Sequence, residues 1–129
     1  MATCCYLELR LGDHTAIAVL AGHPPPVLRI ADRAEFVWLK PGPPLGTRHA
    51  NYRDRAIPLP AGCSVVLYTD GLLEDRRHAI DRGFRELCEA ISSAPTNDPD
   101  DLVDRILNAQ VDPSPCSDDV ALLALTLGG

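Results

Sequence analysis

Short apolar segments separated by turn residues fill the first two thirds of the chain and predict β-strands. Gly12 and Asp13 mark a tight hairpin turn between the first two segments, and three prolines at 24–26 impose an extended connection before the third. The third and fourth segments are predicted to turn at Asp32 and Arg33. A last apolar segment stands at the C-terminal end. The predicted strands cover residues 3–11, 15–20, 27–30, 35–39, 53–57, 63–69 and 120–127.

After Asp70 the apolar residues recur every three or four positions, which predicts helices. The first helix is predicted over about residues 83–92. Asp98 is a favourable N-cap for a second helix, Pro99 suits its first position, and the acidic residues at 100 and 101 suit the positive end of its dipole. Prolines at 113 and 115 end that helix. Strands followed by helices, without regular alternation, predict an α+β fold built on an antiparallel sheet.

The composition is that of a folded protein that does not bind nucleic acid. With 129 residues, of which 46% are hydrophobic and 23% charged, the chain suits one domain, residues 1–129. Its net charge is -6 and Lys40 is its single lysine, whereas nucleic-acid binding needs clustered basic residues. The acidity is also compatible with binding divalent cations.

Cysteine usage and the lack of long apolar runs predict a cytoplasmic protein that does not enter a membrane. The five cysteines are odd in number and follow no zinc-like spacing, so we expect free thiols in a reducing compartment. From its first residues we expect no signal peptide, and its longest apolar runs, 16–21 and 120–125, are too short to span a bilayer. Because a strand follows Met1 almost at once, we also expect that the N-terminal part of the domain precedes Met1.

Two acidic positions far apart in the chain are predicted to meet at one end of the sheet. Asp70 follows the buried strand 63–69, and Asp118 precedes the strand 120–127. If these strands pair antiparallel, the end of the first lies beside the start of the second. Carboxylates brought together repel each other unless a cation lies between them, and oxygen ligands without His or Cys favour Mg²⁺ or Mn²⁺. We therefore predict that Asp70 and Asp118 bind a divalent metal ion.

Other interpretations of the same residues stay open at this point. An Asp-Gly pair after a strand is also typical of a turn, and an Asp-Asp pair before a strand is typical of a cap. Asp119 is disfavoured as a ligand, because neighbouring strand residues point to opposite sides of a sheet. His23 lies between a strand and the three prolines, where a histidine is more often structural than catalytic, and no role for it follows from the residues.

Three segments, taken in order, resemble a known protein family. They are Ala-Gly-His-Pro-Pro-Pro at 21–26, Leu-Tyr-Thr-Asp-Gly-Leu at 67–72 and Asp-Asp-Val-Ala-Leu-Leu at 118–123. Together they resemble the stage II sporulation protein E (SpoIIE) family, the bacterial branch of the metal-dependent, type 2C (PPM-type) serine/threonine phosphatases. Pro-Leu-Gly at 44–46, Leu-Pro-Ala-Gly at 59–62 and Gly-Phe at 83–84 add to the likeness, which covers essentially the whole chain.

The resemblance implies a sandwich of two antiparallel sheets flanked by helices, and hydrolysis of phosphoserine or phosphothreonine on a protein. A pair of Mn²⁺ or Mg²⁺ ions in the complete domain would activate a water for in-line attack on phosphorus. By the motifs, Asp70 and Asp118 would be ligands of the same ion, and no catalytic residue is implied beyond the metal ligands. The implied substrate resembles a phosphorylated anti-sigma-factor antagonist, which points to sigma-factor regulation in bacterial signalling.

The chain departs from the family pattern at its N-terminal end. The family's metal-bridging aspartate and the adjacent Asp-Gly would precede Met1, and the acids before Gly22 are Glu8 and Asp13 alone. We therefore expect the 129 residues by themselves to be inactive. The alternative is a truncated, non-catalytic paralogue that acts as a protein-binding module. A haloacid-dehalogenase-like phosphohydrolase is disfavoured, because Tyr68 stands where its nucleophilic aspartate would be.

Overall fold

The computed structural model describes residues 2–47, 51–73, 80–110 and 119–128, which form seven strands and two helices. Strands β1, β2 and β5 make one antiparallel sheet, in that order, and β4, β3, β6 and β7 make the other. Short 3-10 turns follow β1 and β6. The elements are β1 Cys4–Arg10, β2 Thr15–Ala21, β3 Val27–Ile30, β4 Arg33–Phe36, β5 Arg55–Pro58, β6 Ser64–Tyr68, β7 Leu122–Thr126, α1 Ile80–Ser92 and α2 Pro99–Gln110.

The predicted α+β class and the two antiparallel sheets are confirmed, and each predicted strand and helix is present. Two turns differ from the prediction. Arg33 pairs with Ile30, so the β3–β4 hairpin turns at Ala31 and Asp32, and Ala31 takes a left-handed φ of 55°. The reversal after β1 is longer than a two-residue turn, because Arg10 pairs with Thr15 and a 3-10 turn fills the space between them.

Strand β6 lies at the centre of the molecule and is buried on both faces. Val66 and Tyr68 face the core shared with the helices, whereas Val65 packs in the interface between the two sheets. This explains why residues 63–69 are almost continuously apolar and do not alternate. Buried residues on the apolar faces of the two helices complete the helix-side core: Leu87 and Ile91 of α1, and Leu102 and Ile106 of α2.

The helices pack on the four-stranded sheet, as their apolar spacing requires. The predicted N-cap of α2 is confirmed, because the Asp98 carboxylate accepts from the backbone N–H groups of Asp100 at 2.9 Å and Asp101 at 3.3 Å. In α1 a Cβ at Gly83 would lie 2.8 Å from the Leu73 carbonyl oxygen, so glycine lets this helix approach the segment that follows Asp70. Within the described ranges, no helix has the length and apolar character needed to cross a bilayer.

Candidate metal centre

The end of β6 and the beginning of β7 lie side by side, as the predicted metal site requires. The two strands pair antiparallel, with Tyr68 opposite Leu122. Beyond the ladder, the Thr69 backbone N–H donates to the Ala121 carbonyl at 3.1 Å, and the Ala121 N–H donates to the Thr69 hydroxyl oxygen at 2.9 Å. The adjacency predicted from strand polarity is therefore confirmed as far as Thr69 and Ala121.

Asp70 opens a 3-10 turn at the end of β6. The Leu72 N–H donates to the Thr69 carbonyl at 3.0 Å, and the Leu73 N–H donates to the Asp70 carbonyl at 2.9 Å. Gly71, Leu72 and Leu73 are buried, whereas Asp70 is exposed. The buried residues thus anchor the turn in the core and leave one carboxylate at the surface, where it can meet a cation.

The second predicted ligand, Asp118, lies outside the described residues. Its neighbour Asp119 is described and is exposed. Within residues 2–47, 51–73, 80–110 and 119–128, no three His, Cys, Asp or Glu side chains form a group that could hold a metal ion. The exposed carboxylate of Asp70 fits a hard divalent cation in its chemistry, and its pairing with Asp118 stays a prediction.

His23 contacts the same end of β6, and both of its ring nitrogens have hydrogen-bond partners. Its Nε2 lies 2.8 Å from the Tyr68 carbonyl oxygen, which can only accept, so Nε2 carries a proton. Its Nδ1 lies 3.2 Å from the Thr3 hydroxyl, which donates to it when the ring is neutral. The histidine therefore connects the residue before β1 with the last residue of β6.

Tyr68 forms a second hydrogen bond with the loop that carries His23. Its phenol donates to the Pro25 carbonyl at 2.7 Å. Burial raises the pKa of this phenol well above its usual value, and the neighbouring Cys88, Asp70 and Cys5 add to the rise. Tyr68 therefore keeps its proton and stays a donor to Pro25 throughout the neutral range.

The loop from Gly22 to Pro26 is backed by the proline-glycine loop at 41–46. Gly22 adopts a left-handed φ of 61°, and its N–H donates to the Gly42 carbonyl at 2.8 Å. A Cβ at Gly22 would lie 2.6 Å from Cγ of Pro44. Both the backbone conformation and the close approach therefore require glycine here. The segments at 21–26, 44–46 and 67–72 that carried the resemblance thus meet in one region.

Sequence reasoning did not identify Tyr68 or Thr3 as parts of this region. Tyr68 occupies a core-facing strand position, where a tyrosine hydroxyl usually needs a partner, and that was the one available signal. The partner itself lies 43 residues away at Pro25. No local pattern connects them.

The comparisons with known proteins identify the family of the chain. The family model described as stage II sporulation protein E (SpoIIE) matches residues 1–128. The chain belongs to the SpoIIE family. No match was found among the curated proteins.

Solved structures share the fold over nearly the whole chain. The crystal structure of the RsbU and RsbW domains of Rv1364c from Mycobacterium tuberculosis matches with a TM-score of 0.78 and 28% identity, over 98% of this chain and 37% of that one. The SpoIIE phosphatase domain from Bacillus subtilis (Mn presoaked) matches with a TM-score of 0.75 and 17% identity, over 98% of this chain and 56% of that one.

A more distant match is PppA, a key regulatory component of the type VI secretion system (T6SS) in Pseudomonas aeruginosa. Its TM-score is 0.57 at 17% identity, over 97% of this chain and 57% of PppA. This SpoIIE-family chain thus spans between 37% and 57% of the length of these three structures. The sandwich with its two helices is the part that they share with it.

Proposed function

We propose that this chain supplies part of the metal centre of a Mn²⁺- or Mg²⁺-dependent protein serine/threonine phosphatase, with Asp70 and Asp118 as ligands of one ion. The observation that carries the proposal is the hydrogen bonding of Thr69 to Ala121, immediately before Asp70 and three residues after Asp118. Only two residues separate the second ligand from this contact, so the proposal needs no long excursion of the chain.

The residues of the chain have separate tasks in this proposal. Asp70 and Asp118 supply hard carboxylate oxygens, the ligand type that Mn²⁺ and Mg²⁺ prefer. The buried turn at Gly71, Leu72 and Leu73 holds the Asp70 backbone in place. Bound divalent ions, two in the complete domain, would neutralise phosphate oxygens and activate a water for hydrolysis.

We propose as substrate a phosphoserine or phosphothreonine on a regulatory protein that resembles an anti-sigma-factor antagonist. The family and the match to a protein that combines RsbU and RsbW domains support this choice. The net charge of -6 argues against nucleic acid as a competing partner. The odd number of cysteines supports a reducing site of action, the bacterial cytoplasm.

One observation favours a non-catalytic binding module as the second candidate for a polypeptide of these 129 residues. Glu8 is hydrogen-bonded by Arg10 at 3.1 Å on the exposed side of β1. Asp13 lies in the turn before His14, whose carbonyl accepts from the N–H of Leu59 directly after β5, at the end of the first sheet opposite the Cys4–Ala21 pair. In this alternative, neither acid takes the place of the family's bridging aspartate beside Asp70.

Metal binding by the purified chain tests the proposal without requiring turnover. Substoichiometric Mn²⁺ should broaden the amide NMR signals of Gly71 and Leu72 and leave those of α2 sharp, and EDTA should reverse the effect. Asp70→Asn and Asp118→Asn should each abolish most of the local broadening. Asp104→Asn, which alters an exposed acid on α2, is the matched control and should change nothing.

Two results would contradict the proposal. One is broadening spread evenly over exposed acids, and the other is local broadening that survives both Asp70→Asn and Asp118→Asn. In either case the carboxylates at the ends of β6 and β7 would not be the ligands.

A further inference from the structure

We propose that His23 is a positioning residue for the candidate metal centre: its Nε2–H replaces a backbone donor that the prolines cannot supply, and it thereby holds the end of β6 that leads into Asp70. The consequence for the metal ion rests on the proposed function. The contact with β6 does not.

The first step is the direction of the Tyr68 carbonyl. Thr69 bonds to Ala121 on the β7 side, and successive backbone groups of a strand point alternately to its two neighbours. The N–H and C=O of Tyr68 therefore face β3. Strand β3 pairs with β6 through Val27 opposite Val66, so the position opposite Tyr68 is residue 25.

The second step is the identity of that residue. Pro25 has no N–H, and the ladder between β3 and β6 ends at Val27 and Val66. Without another donor, the carbonyl of the buried Tyr68 would lose its hydrogen bond, which is costly for a buried polar group. His23 fills this gap, because its Nε2 lies 2.8 Å from the Tyr68 oxygen.

The third step is the way in which His23 itself is oriented. The Thr3 hydroxyl, 3.2 Å from Nδ1, can donate to it and so favours the tautomer with the proton on Nε2. Cys4 pairs with Ala21, which places the segment before β1 beside the loop that carries the histidine. Both ring nitrogens are therefore occupied, which is the pattern of a structural support and not of a proton carrier.

The last step connects the support to the metal ligand. Asp70 lies two residues beyond Tyr68 and opens the turn in which Leu72 bonds to Thr69 and Leu73 bonds to Asp70. If the Tyr68 carbonyl is released, the strand end frays and the carboxylate samples a wider range of positions. Small displacements of a positioned group are costly for binding and catalysis.

Hydrogen exchange of the full 129-residue chain tests the proposal directly. His23→Ala should speed exchange of the Leu72 and Leu73 amides about tenfold, the factor expected for one hydrogen bond, and leave the interior amides of α2 unchanged. His23→Gln, whose side-chain amide can donate to the carbonyl, should restore most of the protection. An unchanged rate at Leu72 and Leu73, or an equal rise in α2, would overturn the proposal.

A rescue experiment tests the replacement of the missing donor. In the His23→Ala background, Pro25→Ala returns a backbone N–H to the position opposite Tyr68 and should slow exchange at Leu72 and Leu73 again. Pro24→Ala is the matched control, because that residue alternates away from β6 and should give no rescue. Equal effects of the two proline substitutions would contradict the mechanism.

The Mn²⁺ measurement separates this proposal from the proposed function. His23→Ala should weaken the Mn²⁺ broadening at Gly71, and His23→Gln should restore it, whereas Asp70→Asn should abolish it. If Asp70→Asn leaves the broadening intact, the metal assignment fails, and the exchange rates still decide the role of His23. If His23→Ala leaves both exchange and broadening unchanged, the positioning role fails while the metal assignment stands.

Discussion

At the scale of single residues, Arg29 shows how a buried charge is accommodated by backbone alone. The residue is 5% exposed. Its guanidinium donates to the carbonyls of Ala31 at 2.9 Å, Ala94 at 2.8 Å and Thr96 at 2.8 Å. Two of these carbonyls belong to the segment after α1, where the negative end of the helix dipole favours a cation. Arg29 therefore fastens the connection between the helices to the β3–β4 turn.

Replacement of Arg29 should destabilise the fold strongly. Arg29→Met keeps much of the side-chain volume but leaves three carbonyls without their donor, and we expect a loss of about 3 kcal/mol in the free energy of unfolding. Urea denaturation measures this loss. Arg33→Met, which removes an exposed ion pair with Glu35, is the control and should cost less than about 0.5 kcal/mol. Similar costs for the two variants would refute the role assigned to Arg29.

The Cys5 thiol should make stability depend on alkaline pH. Burial, and to a smaller extent the neighbouring Cys4, raises the pKa of Cys5 from 9.0 to about 11. Between these values the unfolded thiol loses its proton while the folded one keeps it, so stability is full below pH 9 and falls as the pH rises toward 11. Thermal unfolding in reducing buffer should show this fall, with a shallower slope for Cys5→Ala. An unchanged slope would show that Cys5 does not contribute.

At the scale of elements, strand direction determines which strand ends are neighbours, and capping determines where a helix begins. Strands β6 and β7 run in opposite directions, so the C-terminal end of one meets the N-terminal end of the other although α1 and α2 separate them in sequence. Local signals predict most of the described helix ends: α2 begins at Pro99, directly after its predicted N-cap, and α1 ends at Ser92, but α1 begins at Ile80, three residues before its predicted start. Asp98 supplies the clearest of these signals, because its carboxylate accepts two backbone N–H groups at the start of α2.

Removal of the α2 cap should cost about 1 kcal/mol. Asp98→Ala leaves the N–H groups of Asp100 and Asp101 without their acceptor and removes a negative charge from the positive end of the helix. Chemical denaturation should detect the loss. Asp104→Ala changes an exposed acid inside the same helix to a better helix former and should not destabilise it. A loss as large in Asp104→Ala would rule out capping as the cause.

At the scale of the whole molecule, the two sheets share an interface that brings the motif segments to one region. Loop 22–26 leaves the three-stranded sheet, crosses to the four-stranded sheet and contacts Tyr68 at both its carbonyl and its hydroxyl. The matched structures continue beyond this shared region, since the chain covers 37% to 57% of their lengths.

The 129-residue chain by itself should not hydrolyse p-nitrophenyl phosphate, even with saturating Mn²⁺. The reason is that Glu8, which pairs with Ile17, and Asp13, in the turn after β1, lie toward the end of the first sheet opposite the Cys4–Ala21 end, which carries the His23 loop. A full-length phosphatase of the same family, assayed under identical conditions, provides the positive control. Robust hydrolysis that EDTA abolishes would overturn this prediction.

Much of the architecture could be predicted from the sequence because its causes are local. Strand alternation, the continuous apolar run of β6, the helical spacing in α1 and the cap at Asp98 each depend on residues within a few positions of one another. The position of Asp70 beside the start of β7 was predicted on the condition that the two strands pair antiparallel, and the structure shows this pairing. The hairpin turn at Ala31 escaped prediction, since an alanine gives no local signal for a left-handed backbone.

Only the tertiary structure decided which groups distant in sequence form hydrogen bonds with one another. The stacking of the sheets and helices decides these hydrogen bonds. It brings His23 to the Tyr68 carbonyl and the Tyr68 hydroxyl to the Pro25 carbonyl. It also brings the Arg29 guanidinium to the carbonyls of Ala94 and Thr96. These contacts span between 43 and 67 residues of chain. The sequence by itself determined the elements and the family, because these follow from local patterns. Packing determined the hydrogen-bond partners, because a buried polar group is satisfied by whichever chain segment the fold brings to it.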